Sequence, residues 1–284
     1  MNCFAPISVM NPKTNKRMRV PCGKCEACVQ NRASQWFTRL LMQWRDSQCA
    51  TFVTLTYSDE CLPLRFDLEG KPVADVSKED IRYFLVRLRR YLRPDQSRKM
   101  KYFLISEYGP SPLQGEFLVH RPHYHGIFFN LVPESYETLT FAWKKGFTSF
   151  SPVTEGRIKY VSGYMTEKLF VPSGVAPLFS NISQGIGLSY VDKYRSFHEG
   201  NLDRVYCPID GQKRVMPRYY KERLYDESER EEYASYCSAK ADLAYQNDLN
   251  RLGGDEIALS QRYHDLRANY VRKLRNKHKK KQNG

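Results

Sequence analysis

Two histidines lie two residues apart in Arg121-Pro122-His123-Tyr124-His125-Gly126-Ile127-Phe128, at the head of an apolar run. A segment rich in Ile, Phe and Tyr is read as a β-strand. Strand side chains alternate, so His123 and His125 share one face and Tyr124 takes the other. Paired imidazoles on a rigid strand suit a divalent ion. The bland alternative is a structural or surface pair. A second chemical group lies on the helix expected over about 155–170. Its apolar stripe is Ile158, Val161, Met165 and Leu169. Tyr160, Tyr164 and Lys168 recur at i, i+4 and i+8, a second stripe rotated by roughly 110° from the first. Two phenols and an ammonium on one face are either nucleophiles with a charge partner or a surface ladder that steadies the helix slightly. The third group is Cys22, Cys25 and Cys28, with Cys3 upstream. The C-x2-C-x2-C spacing lets thiolates converge on one ion, and Gly23 eases the turn between them. Cys3 as fourth ligand gives a closed, structural four-thiolate zinc site; an iron–sulfur cluster or free thiols are the alternatives.

These groups need elements to hold them. A helix is expected from Cys28 to about Gln48, with Trp36, Phe37, Leu40, Leu41 and Trp44 as its core-facing stripe. Thr51–Tyr57 is β-branched and alternating, hence a strand. A polar loop follows over 58–76. Ser77 then caps a helix running to about Arg93, with Asp80 three residues on and Ile81, Phe84, Leu85, Leu88 and Leu92 as its buried stripe. Arg82, Arg87, Arg89 and Arg90 fall off that stripe and are expected on a solvated face. Lys101–Glu107 is a second strand. A connection rich in Gly and Pro, from 109 to 122, leads into the histidine strand, and two strands so joined pair most simply antiparallel. Glu107 then stands at the end of the neighbouring strand, within reach of both imidazoles. Glu116 competes from the less rigid connection. Two imidazoles and a carboxylate with open positions suit an ion that also holds substrate. A short helix over 133–145 and a short strand over 148–153 precede the tyrosine helix. Residues 172–217 are expected to be irregular, and a mostly helical region broken by Gly253-Gly254 is expected from Pro217 on.

The 284 residues carry 45 Lys or Arg against 31 Asp or Glu, a net charge of +14, which points to a polyanion. The last stretch, 266–284, holds eight Lys or Arg and no acid, suited to phosphates without sequence preference. No apolar run approaches the roughly 20 residues that cross a bilayer. The first ten residues lack a basic segment followed by an apolar one, so no secretion signal is expected and the partner is nucleic acid rather than membrane. Cysteines crowded at one point, with no such signal, favour metal in a reducing compartment.

Together the motifs resemble the HUH endonucleases that start rolling-circle replication. They stand here as Phe52-Val-Thr-Leu-Thr-Tyr57, Glu107-Tyr-Gly109, Arg121-Pro-His-Tyr-His-Gly126 and Tyr160-Val-Ser-Gly-Tyr164-Met-Thr-Glu-Lys168. The chain is similar in particular to the replication initiators of small tailless single-stranded DNA phages, the microviruses, and among them to the gokushovirus branch. The Pro-Cys-Gly-Lys-Cys-Glu-Ala-Cys block and Pro217-Arg-Tyr-Tyr-Lys belong to this likeness, which covers about residues 1–225. The resemblance implies an RRM-like α+β fold whose antiparallel sheet holds the metal and whose helix holds the tyrosines. It implies Mg²⁺ or Mn²⁺ at His123, His125 and Glu107. It also implies that Tyr160 and Tyr164 alternate as nucleophiles, giving a 5′-phosphotyrosyl link and a free 3′-hydroxyl, with Lys168 supplying positive charge. Expected DNA contacts are Arg121, Lys159, Arg218 and Lys221. The implied partners are viral single-stranded and replicative-form origin DNA, a host helicase and a DNA polymerase, in the host bacterial cytoplasm. Three parts are expected: residues 1–48 (cysteine knuckle and first helix), 49–216 (endonuclease core) and 217–284 (basic helices). The rival from another class is a zinc-stabilised, non-catalytic single-strand-binding protein. Charge and cysteines fit it equally, but it leaves the His and Tyr motifs unused. A conjugative relaxase usually has three histidines and N-terminal tyrosines, and a Ser–His–Asp hydrolase lacks its GxSxG elbow here.

Overall fold

A computed structural model describes residues 3–10, 12, 15, 17–66, 70, 72–109, 113–114, 117–118, 121–167 and 175–282, by backbone alone at 113–114, 117–118, 165–167, 274–275 and 277–282. In chain order the first elements are β1 (Ile7–Met10), β2 (Arg17–Val20), α1 (Glu26–Asp46), β3 (Ala50–Tyr57), β4 (Leu64–Phe66) and β5 (Pro72–Ala74). Next come α2 (Lys78–Tyr91), α3 (Pro94–Lys99), β6 (Lys101–Tyr108), β7 (Leu113–Gln114), β8 (Phe117–Leu118) and β9 (Pro122–Phe129). Then follow α4 (Tyr136–Trp143), β10 (Gly146–Pro152), α5 (Glu155–Glu167), β11 (Ser180–Ile182) and α6 (Ser189–His198). The chain ends with β12 (Tyr206–Ile209), β13 (Gln212–Val215), α7 (Arg218–Leu224), α8 (Glu227–Arg251) and α9 (Glu256–Gln282). It divides into two compact units, 39–189 and 1–38 with 190–284. The expected parts 1–48, 49–216 and 217–284 are drawn elsewhere: here 190–216 falls with the C-terminal helices, and the first division lies inside α1.

The 39–189 unit is α+β. Its antiparallel sheet has the order β10-β3-β9-β6-β11, so the histidine strand β9 is central. Helices α2 and α3 follow β3, a hairpin joins β6 to β9, and α4 follows β9, which is a β-α-β-β-α-β connectivity. One face carries Val53, Leu55, Tyr57, Leu104, Tyr124 and Phe128 against Phe84, Leu85 and Leu88 of α2 and Leu139 and Trp143 of α4. Each such side chain, fully buried, contributes about 1.5–3 kcal/mol, so the opposite face rests on a stiff support. Ser77 caps α2 as expected, accepting from the Asp80 amide at 3.1 Å. Tyr124 points away from the histidines: its hydroxyl is 2.9 Å from that of Tyr57 and accepts from the Ser77 amide at 2.8 Å. Gly146 opens β10 at φ +144°, where a Cβ would stand 2.3 Å from the Ser58 nitrogen, so no other residue fits.

Three expectations need correction. Arg87 and Arg89 are not solvated. Arg87 donates to the Ala142 carbonyl at 2.8 Å, satisfying the open end of α4, and Arg89 donates to the Ser97 carbonyl at 2.6 Å. The loop over 58–76 contains the β4–β5 hairpin. The stretch 172–217 is not irregular where described, since it holds β11, α6 and the β12–β13 hairpin. That hairpin turns at Asp210-Gly211, both at positive φ, a strong two-residue turn signal between short strands.

In the other unit Tyr190 stacks on Tyr220 with ring centroids 4.6 Å apart, next to the buried His198. The C-terminal helices α8 and α9 break at Gly253-Gly254 as expected. No helix among the described residues is long and apolar enough to cross a membrane.

Candidate active site and thiolate cluster

Strand register builds the first half of the site. Glu107 of β6 pairs directly with His123 of β9, while Thr54 and Thr56 of β3 pair with His125 and His123. All five side chains therefore share one face. The Glu107 Oε2 atom is 3.3 Å from His123 Nε2 and 3.2 Å from His125 Nε2. His123 Nδ1 lies 3.2 Å from the Arg121 carbonyl. A carbonyl only accepts, so Nδ1 carries the proton and a neutral ring presents its lone pair at Nε2. His125 Nδ1 is 2.9 Å from Thr54 Oγ1, which fixes the second ring in the same sense. Two neutral imidazoles would then aim lone pairs at one carboxylate oxygen, an arrangement that calls for a cation between them. All three ligand atoms lie within 4.8 Å of one another. The donor set fits a divalent ion with open positions.

The second half is α5. Thr154 starts the helix, its Oγ1 accepting from the Arg157 amide at 3.2 Å. Ile158 and Val161 are fully buried, which turns the other stripe onto the histidine face. Tyr160 donates to Glu107 Oε2 at 3.0 Å, and its oxygen is 2.6 Å from the Tyr164 hydroxyl. Tyr160 has one proton and gives it to the carboxylate, so Tyr164 donates to Tyr160. The order is Tyr164, Tyr160, Glu107. Burial pushes the Glu107 carboxyl up, but hydrogen bonds from His123, His125 and Tyr160 outweigh it and bring its pKa down to about 2. The tyrosines are not a surface ladder: Tyr164 is only 2 % exposed, and the rings of Tyr160 and Tyr164 lie 5.5 and 6.4 Å from that of His125.

Sequence reasoning assigned no role to three residues that shape this site. Thr54 orients His125. Phe52 stacks on His125 at 5.5 Å and meets Tyr160 edge-on at 6.3 Å. Gly109 lies against His123: a Cβ there would be 3.2 Å from its Cε1 and 3.3 Å from the Arg121 carbonyl. The signal for Phe52 and Thr54 was the alternation of β3, which puts them on one face with Thr56. Of the expected DNA contacts, Arg121 donates to Asp59 and to the Tyr57 carbonyl, both at 2.7 Å, and so ties the head of β9 to the end of β3. Lys159 is exposed on α5. Arg218 and Lys221 belong to the other unit. Lys168 and the rival ligand Glu116 lie outside the described residues.

The second cluster is local. Cys3 Sγ stands 3.5 Å from Cys22 Sγ and 3.7 Å from Cys25 Sγ, and the sulfurs of all four cysteines lie within 4.8 Å of one another. These spacings are far longer than a disulfide. Four sulfurs at ~2.3 Å from one tetrahedral ion stand about 3.8 Å apart, so the set fits a single zinc-sized ion better than a bulkier iron–sulfur cluster. Desolvation pushes the Cys22 thiol up, but the amides of Lys24 and Cys25 and the Cys3 thiol bring it down to about 6, toward the thiolate a metal needs.

Comparison with known proteins bears on the whole arrangement. A family model described as replication-associated protein ORF2 matches residues 50–169, the span that holds β3, Glu107, both histidines and both tyrosines. The replication-associated protein ORF2 of Spiroplasma virus 4 is 31% identical over 281 residues, covering 90% of this chain and 82% of that protein. The replication-associated protein ORF4 of Chlamydia phage 1 is 28% identical over 232 residues, covering 72% and 53%. The replication-associated protein VP4 of Bdellovibrio phage phiMH2K is 26% identical over 287 residues, covering 85% and 83%. No solved structure matches at a significant level.

Proposed function

The chain belongs to the family of ORF2-type replication-associated proteins, and from that premise we propose that it starts rolling-circle replication of phage DNA by cutting and resealing one strand through a tyrosine. The observation that carries this is two phenol oxygens 2.6 Å apart, one of them bonded to a carboxylate that two imidazoles share. A non-catalytic binder has no use for that grouping. The β-α-β-β-α-β sheet supports an RRM-like, HUH-type fold.

In the reaction a tyrosine Oη attacks the phosphorus of a DNA phosphodiester. The P–O3′ bond breaks, the 3′-oxygen takes a proton, and a 5′-phosphotyrosyl ester forms. One phosphate ester replaces another, so bond energy is kept for resealing, when a 3′-hydroxyl attacks the tyrosyl ester. Glu107, His123 and His125 would hold Mg²⁺ or Mn²⁺, which when bound supplies Lewis-acid polarisation of the scissile phosphate. An ordinary phenol titrates near 10, so a carboxylate with a pKa of about 2 orients the Tyr160 hydroxyl rather than taking its proton. The bond from Tyr164 to Tyr160 favours negative charge on the Tyr160 oxygen as it attacks. One helical turn apart, the two tyrosines suit alternation, one holding the 5′ end while the other cuts the regenerated origin. Lys168, one turn beyond Tyr164, would add positive charge at the phosphate. The cysteine cluster would hold a structural Zn²⁺. Viral origin DNA is the substrate, a host helicase and a DNA polymerase are the proposed partners, and the host cytoplasm is the place of action.

The test is a denaturing gel of protein incubated with labelled origin single strand and Mn²⁺. A covalent protein–DNA band is expected, lost when Tyr160→Phe and Tyr164→Phe are combined. A band that survives the double substitution excludes these nucleophiles. Binding without any band favours the non-catalytic alternative. Repeated rounds of nicking and circle release at the wild-type rate by Tyr160→Phe alone would rule out alternation.

A further inference from the structure

Within the unit formed by residues 1–38 and 190–284, a cavity of about 490 Å³ opens between α7 and α8, with Leu202 and Val205 on its remaining wall. That size is within the roughly 300–1,000 Å³ of small-molecule sites. Its cations are Arg218, Lys221 and Arg230, and its acids are Glu222 and Glu229. Both acids are already engaged. Glu222 accepts from Arg218 Nε at 2.7 Å, and Glu229 accepts from the Asp226 amide at 2.8 Å, closing the capping box of α8. Arg230 is held against the main chain, donating to the Glu222 and Tyr225 carbonyls at 3.2 and 3.4 Å. Lys221 differs from these. It is half-buried, its ammonium lies 4.7 Å from the centre of the Tyr233 ring, and no carboxylate among the described residues is within 4 Å of it. A desolvated cation with no counter-ion is costly, and burial accordingly pulls its pKa down. An anion entering the cavity would relieve that cost.

We infer that this cavity is a nucleotide subsite, taking a phosphate beside Lys221 and Arg218 and laying the attached base or sugar along Tyr233, Leu202 and Val205. The ligand chemistry is a nucleoside phosphate. The site rests on the reading of the chain as a DNA-handling protein, and it adds a grip on the strand that the tyrosine chemistry does not require. Phosphate next to an aromatic and apolar wall is how single strands are held without sequence readout.

The experiment uses the full chain carrying Tyr160→Phe and Tyr164→Phe, so nothing is cleaved and failure of the tyrosine chemistry cannot be mistaken for failure of this site. Fluorescence anisotropy follows a labelled oligothymidylate, and dTMP is titrated separately and as competitor. Lys221→Met is expected to weaken the oligonucleotide about tenfold. It should also lower the slope of log K against log salt by about 0.7, the value of one single-strand phosphate contact. Lys221→Arg should keep most of both. Arg218→Gln, at a position 85% exposed, should weaken binding several-fold and keeps the test alive if Lys221→Met does not fold. A dTMP complex that Lys221→Met abolishes, with the oligonucleotide unaffected, assigns the site to a free nucleotide rather than the strand. Unchanged binding of both probes in every folded variant overturns the proposal. So does an equal loss in Lys221→Arg and Lys221→Met, which would make packing on Tyr233 the cause.

Discussion

Two ligand clusters of the same chain are built in opposite ways. The thiolates come from one short segment plus Cys3, and their spacing is written in C-x2-C-x2-C. The Glu–His–His group is assembled by register across β6 and β9, and its imidazoles are oriented by Thr54 of β3 and the Arg121 carbonyl. Four thiolates close a coordination sphere, and such a site holds structure. Two imidazoles and one carboxylate leave positions open, with two phenols beside them. The difference separates an ion that holds the fold from an ion that meets substrate.

Chelation should break this comparison most visibly. EDTA at moderate concentration is expected to lower covalent adduct formation by roughly a thousandfold or more, with Mn²⁺ restoring it, while metal analysis still finds about one zinc retained per chain. Adduct formation that resists EDTA would remove the metal from the tyrosine site. Next in size is Cys25→Ser, which takes one ligand from a buried corner of the closed cluster. It should lose the zinc and several kcal/mol of stability, read by denaturant unfolding. An unchanged midpoint would mean the thiols are free. Thr54→Val keeps shape and removes the partner of His125 Nδ1. It should weaken Mn²⁺ about 10–100-fold by calorimetry, with little change in melting temperature. Gly109→Ala should act least: its Cβ must push the His123 ring by a few tenths of an ångström, so a several-fold loss of adduct rate is expected. Wild-type rates in Gly109→Ala would show that His123 tolerates that shift.

What could be read from sequence divides along the same line. Local period exposed the histidine strand, the tyrosine helix and the cysteine spacing, because each is set by neighbours a few residues apart. The place of Glu107 was also legible, since β6 and β9 are joined by one connection and pair antiparallel. Thr54 was not, because β3 reaches β9 only after α2, α3 and β6 intervene, and no spacing in the chain announces which strand flanks the histidines. Arg87 looked like a surface charge for the same reason: its acceptor, the end of α4, is 55 residues away. The β12–β13 hairpin is another case. Its Asp210-Gly211 turn was visible, but strands of four residues rich in Lys, Arg and Pro carry little alternation. Tyr190, Tyr194 and His198 of α6 recur at helical spacing, yet they follow a Gly-rich stretch that masks the period.

The central claim is that Tyr160 and Tyr164 are the nucleophiles, and mass spectrometry of the DNA-linked peptide tests it most directly. Trypsin cuts after Lys159 and Lys168, so both tyrosines leave in one peptide, 160–168. After reaction with origin single strand and nuclease trimming, that peptide should carry a nucleotide 5′-phosphate on a tyrosine oxygen, and fragmentation should place it on Tyr160 or Tyr164. An adduct on any other residue, or strand cleavage with no adduct at all, would contradict the account.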